Sequence, residues 1–343
     1  MADEMRAATL HDVAREAGVS LATASRSLNG STRKVADEYR ERVLAAARRL
    51  NYSPNLAAQA IVRGRTRSIG LVVSDIEDPY FSSIAAGVFR AAEQAGLVVT
   101  IAVSDRRPER QIEIIGTLRS QRPQALLLVG SRVADAAADR RLAAELLGFE
   151  AEGGRVALIS QEGLPFDTVA PENREGARLL AERLAELGYR RFALLTGPAD
   201  LLTAAERTEG YREGLAAAGL DLPEELIIRA EFSRDGGYAA AGELLARAVE
   251  VDVVLTGNDV MAVGAMARLR EQGVALPGDL AIAGFDDIAT LRDVSPSLTT
   301  LRLPLAQLGE AAVELALSEA EPVPRTIRIG GYVVVRQSTP PLA

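Results

Sequence analysis

The chain contains no cysteine, and only one lysine, Lys34, and one histidine, His11, among its 343 residues. The absence of cysteine excludes disulfides, thiol nucleophiles and thiolate metal sites. A Walker-type phosphate loop and Schiff-base chemistry both need lysine, and a Ser-His-Asp triad or a histidine metal site needs histidine, so the chain beyond Lys34 can form none of them. His11, on the exposed side of a predicted helix, is expected to do no chemistry. We therefore expect no metal or cofactor and no enzymatic activity of these kinds.

Long apolar runs are also missing. No stretch of eighteen apolar residues occurs, so no membrane span and no membrane partner are expected. The first six residues lack the apolar segment of a secretory signal. The sequence therefore predicts a soluble cytoplasmic protein, and its 48 % hydrophobic content is sufficient for the cores of two or three domains.

Charge is distributed unevenly along the chain. The formal net charge is −8, which alone would argue against nucleic acid. Up to Arg67, however, 12 basic residues stand against 7 acidic ones, whereas the remainder has 27 basic against 40 acidic residues. A basic N-terminal segment on an acidic body is typical of a protein that contacts phosphates with one end only.

The basic segment has the pattern of a helix-turn-helix. Thr9 is placed to cap a short helix, and Asp12, three residues later, completes a capping box. Gly18 then supplies the left-handed conformation that a sharp turn requires. Ser20 is placed to cap a second helix that ends near Leu28, and a third helix is predicted over about residues 37–50. The second helix of such a motif enters the major groove of DNA.

Five segments extend this pattern in a specific order: Thr9–Ala14, Gly18–Ser20, Ser25–Asn29, Asn51–Asn55 and Ile69–Val73. Together they resemble the lactose/galactose repressor family of transcriptional regulators, and the resemblance covers nearly the whole chain. It implies an all-α DNA-binding head, a hinge helix, and an α/β body like that of the periplasmic binding proteins.

The residues of the body support the same fold class independently. Continuous Val/Ile/Leu runs alternate with helical segments, a pattern typical of parallel sheets covered by helices on both faces. Two such series predict two doubly wound subdomains with a ligand cleft at the carboxyl ends of the strands. The predicted strands are 69–73, 98–103, 125–129, 156–159, 192–195, 226–229, 251–255 and 280–283. The predicted helices are 79–95, 109–120, 134–147, 174–187, 204–218, 236–248 and 260–272.

These patterns give a provisional division of the chain. We expect a head over 1–53, a hinge helix and linker over 54–67, and an effector-binding and dimerisation domain over 68–343. Within that domain, one subdomain is predicted over about 68–160 and 290–320, and the other over about 161–289 and 321–337.

Candidate effector-binding residues follow the strands. The resemblance places a pocket arginine at Arg207 and a pocket aspartate at Asp286, a pair that suits neighbouring sugar hydroxyls. Asn258 is expected to point its amide into the cleft, whereas Asp259 is expected to cap the helix. The family often has an acidic residue after the fourth strand, whereas this chain has Ser160 and Gln161, so the sugar specificity stays open. The full predicted set is Asp78, Tyr80, Phe81, Ser160, Arg207, Asn258 and Asp286.

Candidate DNA contacts lie on the second helix and in the hinge. Arg26 is expected to contact a base or clamp a phosphate, since arginine can pair with guanine. Leu21 and Ala22 are apolar and suit thymine methyl groups. Ser20, Thr23, Ser25 and Asn29 are expected at phosphates, which fix register without carrying sequence. The remaining candidates are Thr9, Tyr52, Asn55, Ala58 and Ile61.

The segment 55–64 resembles the family's hinge helix, which is too short to be stable alone. In the family a leucine of this helix acts as a minor-groove wedge, and Ile61 stands at the matching position. Packing of one hinge against another is the alternative role for Ile61.

These features predict a sequence-specific transcriptional regulator, most simply a repressor, that binds a pseudo-palindromic operator as a homodimer. A small effector, a sugar or sugar derivative, is expected to control operator affinity through the angle between the subdomains. A sugar-binding transport protein is the first alternative, but it should have a signal peptide and lack residues 9–65. An enzyme that uses only carboxylates on the same fold is the second.

Overall fold

The structure is a computed structural model that describes residues 8–29, 35–52 and 64–342. Contacts divide the chain into two compact units, a head that ends at Thr66 and a body that begins at Arg67. Among the described residues, no helix is long and apolar enough to cross a membrane.

The described part of the head contains three helices: α1 (Leu10–Ala17), α2 (Leu21–Asn29) and α3 (Asp37–Arg49). The predicted capping box is confirmed, because the Thr9 backbone N–H donates to Asp12 Oδ2 at 3.0 Å and the Asp12 N–H donates to Thr9 Oγ1 at 3.3 Å. Gly18 follows α1 with a φ of 61°, the left-handed turn that the sequence predicted. The three helices share a small buried core of Val13, Ala14, Ala17, Ala24, Val43, Ala46 and Ala47.

The body contains two six-stranded sheets. The strands of the first are β1 (Ser68–Val73), β2 (Val98–Val103), β3 (Ala125–Val129), β4 (Arg155–Ile159), β5 (Asp167–Pro171) and β11 (Thr326–Ile329). Those of the second are β6 (Phe192–Thr196), β7 (Ile227–Arg229), β8 (Val253–Thr256), β9 (Ala281–Asp286), β10 (Thr299–Arg302) and β12 (Tyr332–Val334).

The strand order shows two doubly wound sheets. The first sheet has the order β11-β5-β4-β3-β1-β2 and every neighbouring pair is parallel. The second has the order β12-β10-β9-β8-β6-β7, and within it β12 runs antiparallel to β10. This arrangement confirms the predicted fold class.

Helices cover both faces of each sheet. In the body they are α4 (Pro79–Gln94), α5 (Pro108–Ser120), α6 (Ala136–Ala151), α7 (Asn173–Glu186), α8 (Leu202–Ala217), α9 (Arg234–Ala246), α10 (Asp259–Glu271) and α11 (Leu305–Leu317). They pack as the pairs α4 with α11, α5 with α6, α7 with α8, and α9 with α10. One apolar core continues from the first sheet to the second, and a further core lies on the other face of each sheet.

The predicted subdomain boundaries are wrong. β5, at 167–171, belongs to the first sheet rather than the second, and β10, at 299–302, belongs to the second rather than the first. β11 pairs with β5 in the first sheet, although residues 321–337 were expected in the second subdomain. The chain therefore passes between the sheets three times, near 172, 303–304 and 330–331. These short strands were not predicted because they lack continuous apolar runs.

Glycines allow three of the helix pairs, α4–α11, α7–α8 and α9–α10, to approach closely. In α8, a Cβ at Gly210 would lie 2.0 Å from the Arg174 carbonyl oxygen and 2.9 Å from Ala177 Cβ, both on α7. Because the 2.0 Å contact is with a backbone oxygen, a rotamer change cannot relieve the steric clash that a side chain at Gly210 would create. Gly116, an exposed residue of α5, has nothing within 4 Å of the same position.

We expect Gly210→Ala to lower the free energy of unfolding by about 1–3 kcal/mol, the usual cost of overpacking. Gly116→Ala is the matched control and should raise the free energy of unfolding by roughly 0.5–1 kcal/mol, because alanine favours the helix. Urea denaturation followed by circular dichroism measures both. Equal behaviour of the two variants would contradict the close α7–α8 contact.

Candidate functional site

The second helix of the head presents a small exposed face. Ser20, Leu21, Ala22 and Arg26 are exposed there, and Leu21 is 39 % accessible. Among the described residues, Arg26 has no ion-pair partner, so its guanidinium is available to an outside acceptor. An exposed apolar start followed by a guanidinium suits contact with base edges and phosphates.

Some of the other residues predicted to contact DNA also cap a helix or pack against the core of the head. The Thr23 N–H donates to Ser20 Oγ at 3.1 Å, which confirms that Ser20 caps α2. Thr9 completes the capping box of α1, and Tyr52 packs partly buried against the head core, which raises the pKa of its hydroxyl. Ser25 is half-buried. The side chain of Asn29 and all of Asn55, Ala58 and Ile61 lie outside the described residues, so the hinge remains a sequence prediction.

The body holds a cavity at the carboxyl ends of the strands of both sheets. It encloses about 440 Å³ of space not filled by atoms, part of which is open to solvent. All seven predicted effector residues line it: Asp78, Tyr80, Phe81, Ser160, Arg207, Asn258 and Asp286. The structure thus brings together residues that are up to 208 positions apart in the chain.

A buried ion pair forms one wall of this cavity. Arg207, on α8, donates from Nη2 to Asp286 Oδ1 at 2.8 Å, from Nη1 to the Gly257 carbonyl at 2.7 Å and from Nε to Asn173 Oδ1 at 3.0 Å. Its guanidinium lies 3.7 Å from the centre of the Phe285 ring. The side chains of the pair are only 3 % and 4 % exposed. Asp286 also has a φ of 116°, a strained backbone conformation at the residue that pairs with the arginine.

An aromatic wall with its own charge pair lies on the other side. Asp78 caps α4, since Oδ1 accepts from the Tyr80 N–H at 2.9 Å, and its Oδ2 lies 3.6 Å from Arg106 Nη2. Arg106 also donates to Asp75 at 3.3 Å. The Tyr80 and Phe81 rings meet edge to face, with their centroids 5.0 Å apart. Ring faces and fixed polar groups together suit a sugar, which has both apolar faces and hydroxyls.

Gln161 bridges the two subdomains beside the cavity. Its Nε2 donates to Thr203 Oγ1 at 2.8 Å and to Glu206 Oε2 at 3.4 Å, whereas its Oε1 accepts from the Arg132 N–H at 3.2 Å. Ser160 donates to the same Oε1 at 3.3 Å. The amide that stands near the family's acidic position is therefore used to join the first sheet to α8.

Asn258 lies at the cavity as expected, but the helix cap expected of Asp259 is also made by Asn258. Asn258 lines the cavity, but its Oδ1 accepts from the Met261 N–H at 3.0 Å and so caps α10. Asp259 is fully buried and accepts from the Ile288 N–H at 2.9 Å and from Thr300 Oγ1 at 2.7 Å. The aspartate is thus held by a loop and by β10, which the sequence did not place beside it.

Several lining residues were not predicted. Phe232, after β7, lies across from Phe81, and the Arg106 guanidinium is 5.5 Å from the Phe81 ring centre and 5.9 Å from that of Phe232. The position after the strand was a usable signal for Phe232, because the ligand-facing loops of such sheets follow the strands. The further lining residues are Gly130, Ser131, Ile159, Gln161, Pro171, Asn173 and Thr203.

Burial raises the pKa of three carboxyls here. Burial raises the pKa of Asp286 to about 7, opposed by Arg207 and reinforced by Asp78. Burial, and then the charge of Asp286, raise the pKa of Asp259 well above its usual value. Burial also raises the pKa of Asp78, which its hydrogen bond from Tyr80 and the charge of Arg106 oppose.

A three-helix head with an exposed second helix, and an α/β body with a ligand-sized cavity between two sheets, define a ligand-binding DNA-binding regulator. Family models agree: residues 9–55 match "Bacterial regulatory proteins, lacI family" and residues 181–339 match "Periplasmic binding protein-like domain". The chain belongs to the lacI family of bacterial regulators, whose members are transcriptional regulators and not enzymes.

Relatives match over almost their whole length. The transcriptional regulator GalR of Escherichia coli K12 is 33 % identical over 98 % of this chain and 97 % of its own. The regulator CelR of Thermobifida fusca is 32 % identical over 98 % and 99 %. A solved Lac repressor dimer, bound to operator and an anti-inducer, superposes with a TM-score of 0.83 at 27 % identity, covering 98 % of this chain and all of that one. A solved CelR–cellobiose complex gives 0.70 at 30 % identity, over 96 % and 99 %.

We expect the free energy of unfolding to fall as the pH rises from 5 to 8, because of Asp286. The pKa of Asp286 is higher in the folded chain, at about 7, than in the unfolded chain. Stabilisation by its protonation is therefore complete below the unfolded pKa and is lost as the pH rises through about 7.

Urea denaturation at several pH values measures this dependence. Asp286→Asn should make the curve less steep, with Asp78 and Asp259 still contributing, whereas Asp293→Asn, which removes an exposed carboxyl, should leave it unchanged. Parallel curves for the wild type and Asp286→Asn would show that burial of this carboxyl is not the cause.

Proposed function

We propose that the protein is a repressor whose operator affinity is controlled by a neutral sugar or sugar derivative bound in the cavity lined by Arg207 and Asp286. The main support is the buried Arg207–Asp286 pair at the cavity wall. The five other effector-binding residues that the sequence predicts line the same cavity. A fixed guanidinium beside a carboxylate can donate a hydrogen bond to one sugar hydroxyl and accept a hydrogen bond from the adjacent hydroxyl.

Charge balance favours a neutral effector. Arg207 is matched by Asp286, and Arg106 is matched by Asp75 and Asp78. An anionic ligand would therefore have to displace a carboxylate from an existing ion pair, whereas a polyol only exchanges hydrogen bonds. Solved relatives support the class: one structure is a complex of CelR with cellobiose, and another lacI-family regulator is described with bound ribose.

The position of the cavity couples ligand binding to the relative pose of the subdomains. Asp78 and Ser160 come from the first sheet and its helices, whereas Arg207 and Asp286 come from the second. A ligand that contacts both sets favours one relative pose of the subdomains over others. In the proposed mechanism that pose determines whether the two hinge segments of a homodimer can dock on the operator together.

The proposed DNA partner is a pseudo-palindromic operator bound by the two heads of a homodimer. A solved Lac repressor similar to this chain is described as a dimer bound to operator, which supports this proposal. In each head, α2 reads the major groove with Leu21, Ala22 and Arg26, while Ser20, Thr23, Ser25 and Asn29 contact phosphates. The protein would thus work in the bacterial cytoplasm, at the nucleoid.

Arg207→Ala and Asp286→Ala should each abolish the rise in melting temperature caused by the effector, and leave operator affinity near that of the wild type. Each substitution removes one half of the proposed hydrogen-bonding pair. A thermal-shift screen of neutral sugars, followed by operator titration, measures both properties. Arg212→Ala, at a half-buried residue on the same helix that pairs with Glu224 and lies outside the cavity, is the matched control. Full ligand response in both cavity variants would refute the proposed site.

Arg26→Ala should weaken operator binding about 10- to 100-fold, the equivalent of roughly 1–3 kcal/mol for a good base contact. The effector response of the body should be retained. Arg49→Ala, which removes an exposed head arginine paired with Glu16, should have a smaller effect. Fluorescence anisotropy with operator and random duplexes measures affinity and specificity together, and an unchanged operator preference would exclude Arg26 from base recognition.

A further inference from the structure

A second cavity lies beside the first, against α5 and α6 of the first subdomain. It encloses about 580 Å³ of unfilled space, part of it open to solvent. Ser74, Ser104 and Ser131 line it, one after each of the strands β1, β2 and β3. The chain leaves β1 for β2 on one side and returns to β3 on the other, so this is a topological switch point. Ligands in doubly wound sheets bind at such points, outside the carboxyl ends of the strands.

The charge of this second cavity differs from that of the first. Three guanidinium groups line it, from Arg106, Arg107 and Arg132, against one carboxylate, Asp139. Asp139 pairs with Arg132, and Arg106 is held by Asp75 and Asp78. Among the described residues, Arg107 has no ion-pair partner, so the lining retains a positive charge.

Donors at the wall are available to an acceptor. Arg132 Nε is buried and has no hydrogen-bond partner among the described residues. Arg107 stands at the start of α5 without capping it through its side chain, so the first N–H groups of that helix add partial positive charge. The Arg107 guanidinium and these N–H groups therefore offer donors to an anionic group, whereas contact with Arg132 Nε would require its side chain to move.

The serines supply the complementary chemistry. Ser74 Oγ donates to the Val129 carbonyl and Ser104 Oγ donates to the Val73 carbonyl, each at 3.3 Å. Since both hydroxyl protons are engaged, the oxygens face a ligand as acceptors only. They suit ligand hydroxyls, whereas the arginines suit an acid group.

We propose that this second cavity binds a small polyhydroxylated acid, a sugar phosphate or a sugar carboxylate, as a second effector. The proposal rests on the function proposed above, in which the first cavity takes a neutral sugar. The two cavities share Arg106 and Ser131 in their common wall, so occupancy of one bears on the other.

The second cavity also adjoins a connection between the subdomains. Val133, from the first subdomain, forms an antiparallel bridge with Leu201, from the second, and both line the cavity. The Ala134 N–H donates to the Asp200 carbonyl at 2.7 Å and the Leu202 N–H donates to the Arg132 carbonyl at 3.0 Å. A ligand in the second cavity contacts the two residues of this bridge. Its binding therefore changes the stability of the bridge, and with it the relative orientation of the subdomains that the first effector also controls.

Isothermal titration of the full-length protein with gluconate and with glucose 1-phosphate tests the proposal. Glucose is the control ligand that has hydroxyls but no acid group, and inorganic phosphate is the control anion that has no polyol. We expect at least one of the two acids to bind more than tenfold tighter than inorganic phosphate, and the arm that binds identifies the acid group. Binding of neither acid, or equal binding of inorganic phosphate, would overturn the proposal.

Variants locate the site. Arg107→Gln should weaken acid binding at least tenfold, whereas Arg110→Gln, which removes a nearby exposed charge outside both cavities, should not. Phe232→Ala, at a residue that lines the first cavity and not the second, should retain acid binding. Loss of acid binding in Phe232→Ala together with full binding in Arg107→Gln would assign the acid to the first cavity and refute the second site.

The neutral-sugar response and operator binding are measured on the same variants, and they report on the first proposal separately. Arg107→Gln should keep both. Failure of acid binding in a protein that still responds to a neutral sugar overturns the second site alone. Absence of any neutral-sugar response in the wild type overturns the proposed function of the first cavity.

Discussion

The architecture of the effector cavity depends on one buried ion pair. Removing Arg207 and Asp286 from water is costly, and the cost is offset only because the guanidinium donates to a carboxylate, a carbonyl and an amide at the same time. Those three acceptors come from β9, from the loop after β8 and from the start of α7, so the pair fixes three elements around α8. Loss of one partner of such a pair typically costs about 3–5 kcal/mol, and its geometry is correspondingly rigid. The cavity wall that Arg207 and Asp286 form is therefore rigid as well.

Much of this arrangement is legible in the sequence. The capping box at Thr9, the glycine turn and the alternation of apolar runs with helices specify the head and most of the two sheets, because each is a local pattern. The site residues follow from a topological rule together with family resemblance, since the carboxyl ends of parallel strands converge. The boundaries between the subdomains do not follow, because β5, β10 and β11 lack continuous apolar runs, and because the pairings of β5 with β11 and of β10 with β12 join segments that are far apart in the chain. Such strands are stabilised by the neighbours they join rather than by their own pattern.

The side-chain roles that prediction assigned incorrectly share one cause. Asn258 and Asp259 are adjacent, and either can cap a helix, so local sequence does not distinguish them. The choice is made by Thr300 and by the backbone of Ile288, which hold the buried aspartate from distant segments. Gln161 is similar, since its bonds to α8 exist only once both sheets are in place. Tertiary partners, not propensity, decide these positions.

The three passages of the chain between the sheets restrict how the body can move. β5 and β11 are neighbours in the first sheet, with Pro171 opposite Ile329, and β10 and β12 are neighbours in the second, with Arg302 opposite Tyr332. The three connecting segments therefore lie next to one another, along one line at the boundary between the two subdomains. Three adjacent connections restrict twisting and sliding of the two subdomains more than they restrict bending about the line of the connections. Binding of a ligand between the subdomains therefore acts mainly on this bending motion.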